Sequence, residues 1–119
     1  MKPERQRDLE MKAPKESKWI YKGSILQLRV DTFELDKRKK TTELIHHPGV
    51  VVILAVDDQD RILLVRQWRR AIETITIELP AGTLESGEEP LGCAGRELRE
   101  ETGYRAKSIH PMGGFYSAP

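Results

Sequence analysis

Glu97, Glu100 and Glu101 fall within just over one helical turn of the run GTLESGEEPLGCAGRELREETGY, residues 82–104. On a helix, positions three and four apart share a face, so the three carboxylates are neighbours and repel. Arg96 reaches Glu100 at a spacing of four and offsets part of that repulsion. Clustered carboxylate oxygens suit hard divalent cations. Mg²⁺ in particular is held by a few carboxylates, waters and substrate phosphates. A carboxylate cluster beside a glycine-containing loop can bring a diphosphate and its metals together. Bound metal would neutralise phosphate charge, polarise phosphorus and acidify a bound water. The opposing reading is a solvated, salt-bridged surface helix. Gly92 and Gly95 weaken it, since each costs roughly 1 kcal/mol relative to Ala inside a helix.

Local signals place this helix. Pro90 suits a first turn, where its missing N–H costs nothing, and Gly103 suits the position just past the end. Residues 82–89 then form a loop feeding the helix N-terminus. Upstream, residues 25–35 include an alternating apolar set, and residues 41–47 return as a second strand across the polar turn 36–40. The lysine-rich turn has no interleaved aromatics, so it reads as solvated rather than as a nucleic-acid patch. Residues 50–56 form a β-branched run suited to a buried strand. The turn 57–60 leads into a partner strand over 61–69, a second hairpin. Residues 77–79 read as a short strand ended by Pro80, and GGFYS at 113–117 as a last one. Residues 1–16 read as a mobile charged tail, with a short helix as the alternative.

Composition narrows the class. One domain fits 119 residues, and a net charge of +1 gives no reason to expect nucleic acid or an acidic membrane as partner. Cys93 is the only cysteine, which excludes an internal disulfide and fits a reducing compartment. The N-terminus lacks the apolar core of a secretory signal, and no apolar run is long enough to span a bilayer. The expectation is a cytoplasmic protein.

The spacing Gly82, Glu88, Arg96, Glu97, Leu98, Glu100, Glu101, Gly103, Tyr104 resembles the Nudix box at every fixed position, with Tyr104 where an aliphatic residue is usual. Glu78-Leu79-Pro80-Ala81-Gly82, the strand LVRQWR at 64–69, His46-His47-Pro48-Gly49 and FYSAP with its spaced Pro119 resemble the ADP-ribose and ADP-sugar pyrophosphatase branch. The likeness covers residues 18–119.

The resemblance implies an α/β (α+β) Nudix fold: a mixed sheet with flanking helices plus a small N-terminal antiparallel sheet. Beyond the charged tail over 1–16, it implies a hairpin region over 17–48 forming the seam of a swapped homodimer, and a C-terminally truncated Nudix core from 49 to 119. It implies Mg²⁺-dependent hydrolysis of ADP-ribose or a related ADP-sugar to AMP and a sugar phosphate, with Mn²⁺ as the other candidate metal. Glu97 and Glu101 become the main metal ligands, Glu100 a further ligand or its guide, and the Ala81 carbonyl a backbone ligand. Arg96 and Glu88 hold the carboxylates, beside Gly82. Arg69, Glu43 and Thr83 become substrate contacts. Trp19 either stacks on adenine or caps the N-terminal sheet. His46 and His47 could suggest a metal pair, but adjacent residues in a strand face opposite ways, so a structural or substrate-contact role is the expectation.

The branch continues past the position of Pro119 with a loop, strands and a helix carrying a further acidic residue. A fragment, a chosen boundary and an early-ending gene all fit. The expectation is weak stability or dependence on a partner, because a core without its last elements exposes apolar surface and a sheet edge. Two other readings stay open: a non-catalytic fragment that binds an ADP-sugar or a partner, and a hydrolase of another nucleoside diphosphate derivative.

Overall fold

In the computed structural model, which describes residues 1–117, the chain divides into two compact units, the first ending at Pro48 and the second starting at Gly49. In the first unit, α1 (Pro3–Lys12) is followed by β1 (Lys15–Lys22), β2 (Gln27–Leu35) and β3 (Arg38–His46). The tail expected over 1–16 thus takes the alternative form. Pro3 sits at the helix start, Glu4 in the first turn and Lys12 in the last, each favourable to the helix dipole. A Gln6–Glu10 hydrogen bond of 2.8 Å at i,i+4 adds to this. No residue of α1 is buried, which is why its sequence carries no apolar stripe.

The sheet β1–β2–β3 is antiparallel, with Trp19 opposite Arg29 and Thr42 opposite Asp31. The β2–β3 hairpin forms as expected, and Asp36 and Lys37 turn it with φ of 50° and 60°. Asp31 is buried and pairs with Arg29 (Nε–Oδ1 2.9 Å).

In the second unit, β4 (Val50–Val52) pairs with β7 (Ala81–Thr83), and β5 (Val65–Arg69) pairs with β6 (Thr74–Glu78). The run over 50–56 is a strand only for its first three residues. Beyond Val52 the Ile53 N–H bonds to the Pro80 carbonyl at 2.8 Å, and the chain meets its partner only at the Val56–Ile62 bridge. Where a mixed sheet was expected, all strand pairings among the described residues are antiparallel, in three small sheets. Parallel pairing needs a crossover of a dozen or more residues, whereas a single 3-10 turn, Arg70–Ile72, joins β5 to β6. GGFYS forms no strand; Phe115 and Tyr116 are exposed.

The unit closes around α2 (Pro90–Thr102), which packs against β7 and β4 through buried Cys93, Ala94 and Leu98. Gly103 ends the helix at φ 77° with its N–H on the Arg99 carbonyl. Among the described residues, no helix is long and apolar enough to cross a membrane.

Candidate active site

Burying Cys93, Ala94 and Leu98 fixes the rotation of α2 and brings Arg96, Glu97 and Glu101 against the β7 strand and its approach. Arg96 is the hub. Its Nε and Nη2 make a bidentate pair with Glu88 (2.8 and 2.9 Å). Its Nη1 donates to Glu97 Oε1 at 2.7 Å and to Glu100 Oε2 at 3.2 Å. Nη2 also donates to the Thr83 carbonyl at 3.3 Å. The guanidinium therefore ties the loop before the helix, strand β7 and two carboxylates of α2 together. The Arg96 hydrogen bonds, with the Glu85 N–H, hold the Glu88 carboxyl at a pKa of about 2. Glu88 and then Glu97 raise that of Arg96.

Glu97 lies against Gly82. A Cβ built on Gly82 would stand 1.9 Å from Glu97 Cδ. Glycine is required there for side-chain room, since its φ lies outside the left-handed region. Gly95 is approached by Ile109, whose Cδ1 would sit 3.5 Å from an added Cβ, while Gly92 faces open space.

Glu101 is held differently. Its Oε1 accepts from Gln67 Nε2 at 3.0 Å and its Oε2 from the Ala81 N–H at 3.1 Å. Ala81, expected to offer its carbonyl to a metal, engages the site through its N–H. Arg69 is paired with Glu78, with Nε–Oε1 at 2.8 Å and Nη2 on Oε2. Arg69 and the Thr76 hydroxyl hold the Glu78 carboxyl at about 2, and Glu78 raises Arg69.

The second unit thus gathers Arg69, Ala81, Gly82, Thr83, Glu88, Arg96, Glu97, Glu100 and Glu101. Glu43 and Trp19 belong to the first unit. There Trp19 sits 5.3 Å from the His46 ring, with Lys22 Nζ and Arg29 Cζ 4.9 and 5.6 Å from its centroid. Pro119 lies outside the described residues. Sequence reasoning missed Gln67 and Glu78. The period-2 rule could have found Gln67, because it shares a β5 face with Arg69.

Among the described residues, no three His, Cys, Asp or Glu side chains gather closely enough to cage a metal ion. Arg96 draws Glu97 and Glu100 to itself, and Gln67 and Ala81 draw Glu101 toward β5 and β7. The carboxylates still fit a divalent cation by donor type. Mg²⁺ uses one or two carboxylates completed by waters and phosphate oxygens, not a full protein cage.

The glycine-seated Glu97 and the Arg96 bracket are the physical content of the spacing over 82–104. The NUDIX domain family model matches residues 45–119. The chain belongs to the NUDIX family. An ADP-ribose pyrophosphatase from Bacillus subtilis (strain 168) is 45% identical over 101 residues, covering 84% of this chain and 55% of the relative. A methanol dehydrogenase activator from Bacillus methanolicus is 38% identical over 101 residues, with coverage of 84% and 55%. A solved structure described as an ADP compounds hydrolase superposes with TM-score 0.68 at 22% identity, over 82% of this chain and 54% of that one. That likeness shows the NUDIX fold, an α+β architecture. The chain spans about half the length of the curated relatives it matches.

Proposed function

We propose that this NUDIX chain serves divalent-metal-dependent hydrolysis of the diphosphate of ADP-ribose or a related ADP-sugar, releasing AMP and a sugar phosphate. The observation that supports it most is the pair Glu97 and Glu101, seated on consecutive backbone positions, Gly82 and Ala81, with Arg96 beside them. The name of the Bacillus subtilis relative points to the same substrate.

Glu97 and Glu101, with Glu100 and the Ala81 carbonyl, would hold Mg²⁺ or Mn²⁺. The bound cation supplies charge neutralisation at the phosphates and a more acidic water. The chain's own residues do the rest. Arg96 keeps Glu97 and Glu100 at fixed positions through Glu88. Arg69, oriented by Glu78, offers its guanidinium to a phosphate oxygen. Within the second unit, Thr83 contacts the remainder of the substrate. A water oxygen forms the new P–O bond, the bridging P–O bond breaks, and the two phosphate monoesters leave. We further propose a homodimer using residues 17–48 and a cytoplasmic location.

The test is AMP release from ADP-ribose by the full-length protein with Mg²⁺ or Mn²⁺. Glu101→Gln is expected to lower turnover by at least about 10²-fold, above the 10–100-fold typical of residues that only support a metal ligand. No release from folded wild-type protein with either metal would sink the proposal. The relative described as an activator favours a second reading, a module that binds an ADP-sugar or a protein without turnover. Calorimetric binding of ADP-ribose without hydrolysis would select it. AMP release confined to other nucleoside diphosphates in a substrate panel would move the assignment within hydrolases.

A further inference from the structure

The carboxylates of α2 are held in two different ways. Glu97 and Glu100 accept from the Arg96 guanidinium, whose positive charge compensates theirs. The two hydrogen bonds on Glu101 come from neutral donors, the Gln67 amide at 3.0 Å and the Ala81 N–H at 3.1 Å. A neutral donor fixes the direction of a carboxylate without cancelling its charge. The two donors also arrive from different strands, β5 and β7, and each takes one oxygen. The carboxylate plane is therefore clamped by neutral donors, and among the described residues Glu101 makes no direct salt bridge.

Gln67 is suited to this role by its place in the hairpin. It lies opposite Thr76 and two residues before Arg69, so it shares a face with Arg69, Thr76 and Glu78. The Thr76 hydroxyl donates its one proton to Glu78 Oε1, which is paired with Arg69, and lies 3.2 Å from the Gln67 carbonyl. Gln67 is thus the strand partner of a residue in the cluster that orients Arg69. One face of the hairpin thus aims a neutral amide at Glu101 and a cation at Glu78.

We propose that Gln67 is a positioning residue of the hydrolytic site, which clamps the Glu101 carboxylate between β5 and β7 and so sets the affinity of the site for its divalent cation. The proposal rests on the hydrolase reading for its kinetic consequences and on the Gln67–Glu101 contact for its structure.

The full-length protein is compared with Gln67→Leu, which keeps the bulk and removes the donor, and with Gln67→Glu, which places a carboxylate beside Glu101. In Gln67→Leu the Mn²⁺ dissociation constant, read by electron paramagnetic resonance, is expected to rise 10–100-fold. The KM for ADP-ribose at saturating metal should stay within about twofold, because no substrate contact is removed. Gln67→Glu is expected to lose turnover at low metal and recover part of it as metal is raised, since a cation relieves the paired charges. A role in folding alone would lower the melting temperature of both variants and leave metal affinity unchanged, which would overturn the proposal. If Gln67→Leu fails to fold, the wild-type Gln67 side-chain amide decides by NMR. Its resonances should shift in Glu101→Gln and broaden with Mn²⁺, and indifference to both overturns the proposal. Absence of turnover in the wild type refutes the hydrolase reading alone, because the Mn²⁺ and amide measurements do not depend on it.

Discussion

Gly82→Ala isolates a single steric relation. The added methyl would lie 1.9, 2.1 and 2.2 Å from Glu97 Cδ, Oε1 and Cγ. Such contacts essentially never fall below 3.0 Å, so the carboxylate must retreat by about 1 Å or change rotamer. The displaced group is a flexible side chain and alanine tolerates the backbone, so stability should fall by no more than about 1 kcal/mol. Catalysis is far less forgiving. A misplacement of about 1 Å costs on the order of 10²-fold, or about 2.7 kcal/mol of transition-state stabilisation. The assay is kcat for ADP-ribose hydrolysis beside a melting curve, with Glu97→Ala as a second background. If collision with Glu97 is the cause, Gly82→Ala should add little to the loss already caused by Glu97→Ala. A Gly82→Ala variant within about threefold of the parent kcat, or losses that multiply in the double variant, would refute the reasoning.

Arg96→Met should lower activity by about 10–100-fold by freeing Glu88, Glu97 and Glu100. It should also change the acid limb of stability. Glu88 stands at about 2 in the folded chain against an ordinary 4.5, so its contribution is present above about 4.5 and lost as pH falls through 2. Melting temperature followed from pH 7 to pH 2 should therefore start lower and fall less steeply across that window in the variant. Cys93 is buried, and desolvation raises its thiol. Native protein should react with iodoacetamide at pH 8 at least about tenfold more slowly than protein unfolded in urea, by mass spectrometry. Gly103→Ala forces a side chain into φ 77° and should cost about 1 kcal/mol, or about 4–8 °C in melting temperature.

The helix α2 was legible because its signals are local: a proline at the first turn and a glycine past the last. The β2–β3 hairpin and the turn at 57–60 were legible for the same reason. Partner choice in the second unit was not. A run such as VVVILAV suggests a strand buried on both faces, yet Val50, Val52, Leu54 and Val56 are exposed, and nothing local says that Val50–Val52 pairs with Ala81–Thr83. Nor does it say that β5 turns through Arg70–Ile72 onto β6. The carboxylates on one face of α2 were legible, and so was Arg96 beside Glu100. The reach of Arg96 to Glu88 and Thr83, and that of Gln67 to Glu101, needs the tertiary packing of α2 on β7. The tail at 1–16 misled for another reason: α1 buries nothing, so its helicity rests on Pro3, on placed charges and on the Gln6–Glu10 bond rather than on a stripe.

The arrangement also answers the cost of setting three carboxylates together. Coulomb repulsion alone would spread them, and a bound cation relieves it only when present. In this fold the repulsion is divided before any cation arrives. Arg96 compensates Glu97 and Glu100, while Glu101 is turned aside by neutral donors on two strands. A cation held there as proposed would compete with Arg96 for Glu97, but at Glu101 it would displace no directly bonded guanidinium. The proposed site would then engage a cation more readily at Glu101 than at Glu97, where Arg96 is already bound. On this argument Glu101→Gln weakens metal binding more than Glu97→Gln does, and Arg96→Met tightens the metal even as it disorders Glu97 and lowers turnover. Paired measurements of Mn²⁺ affinity and kcat on the three variants would separate this from a plain loss of structure, in which affinity and turnover fall together.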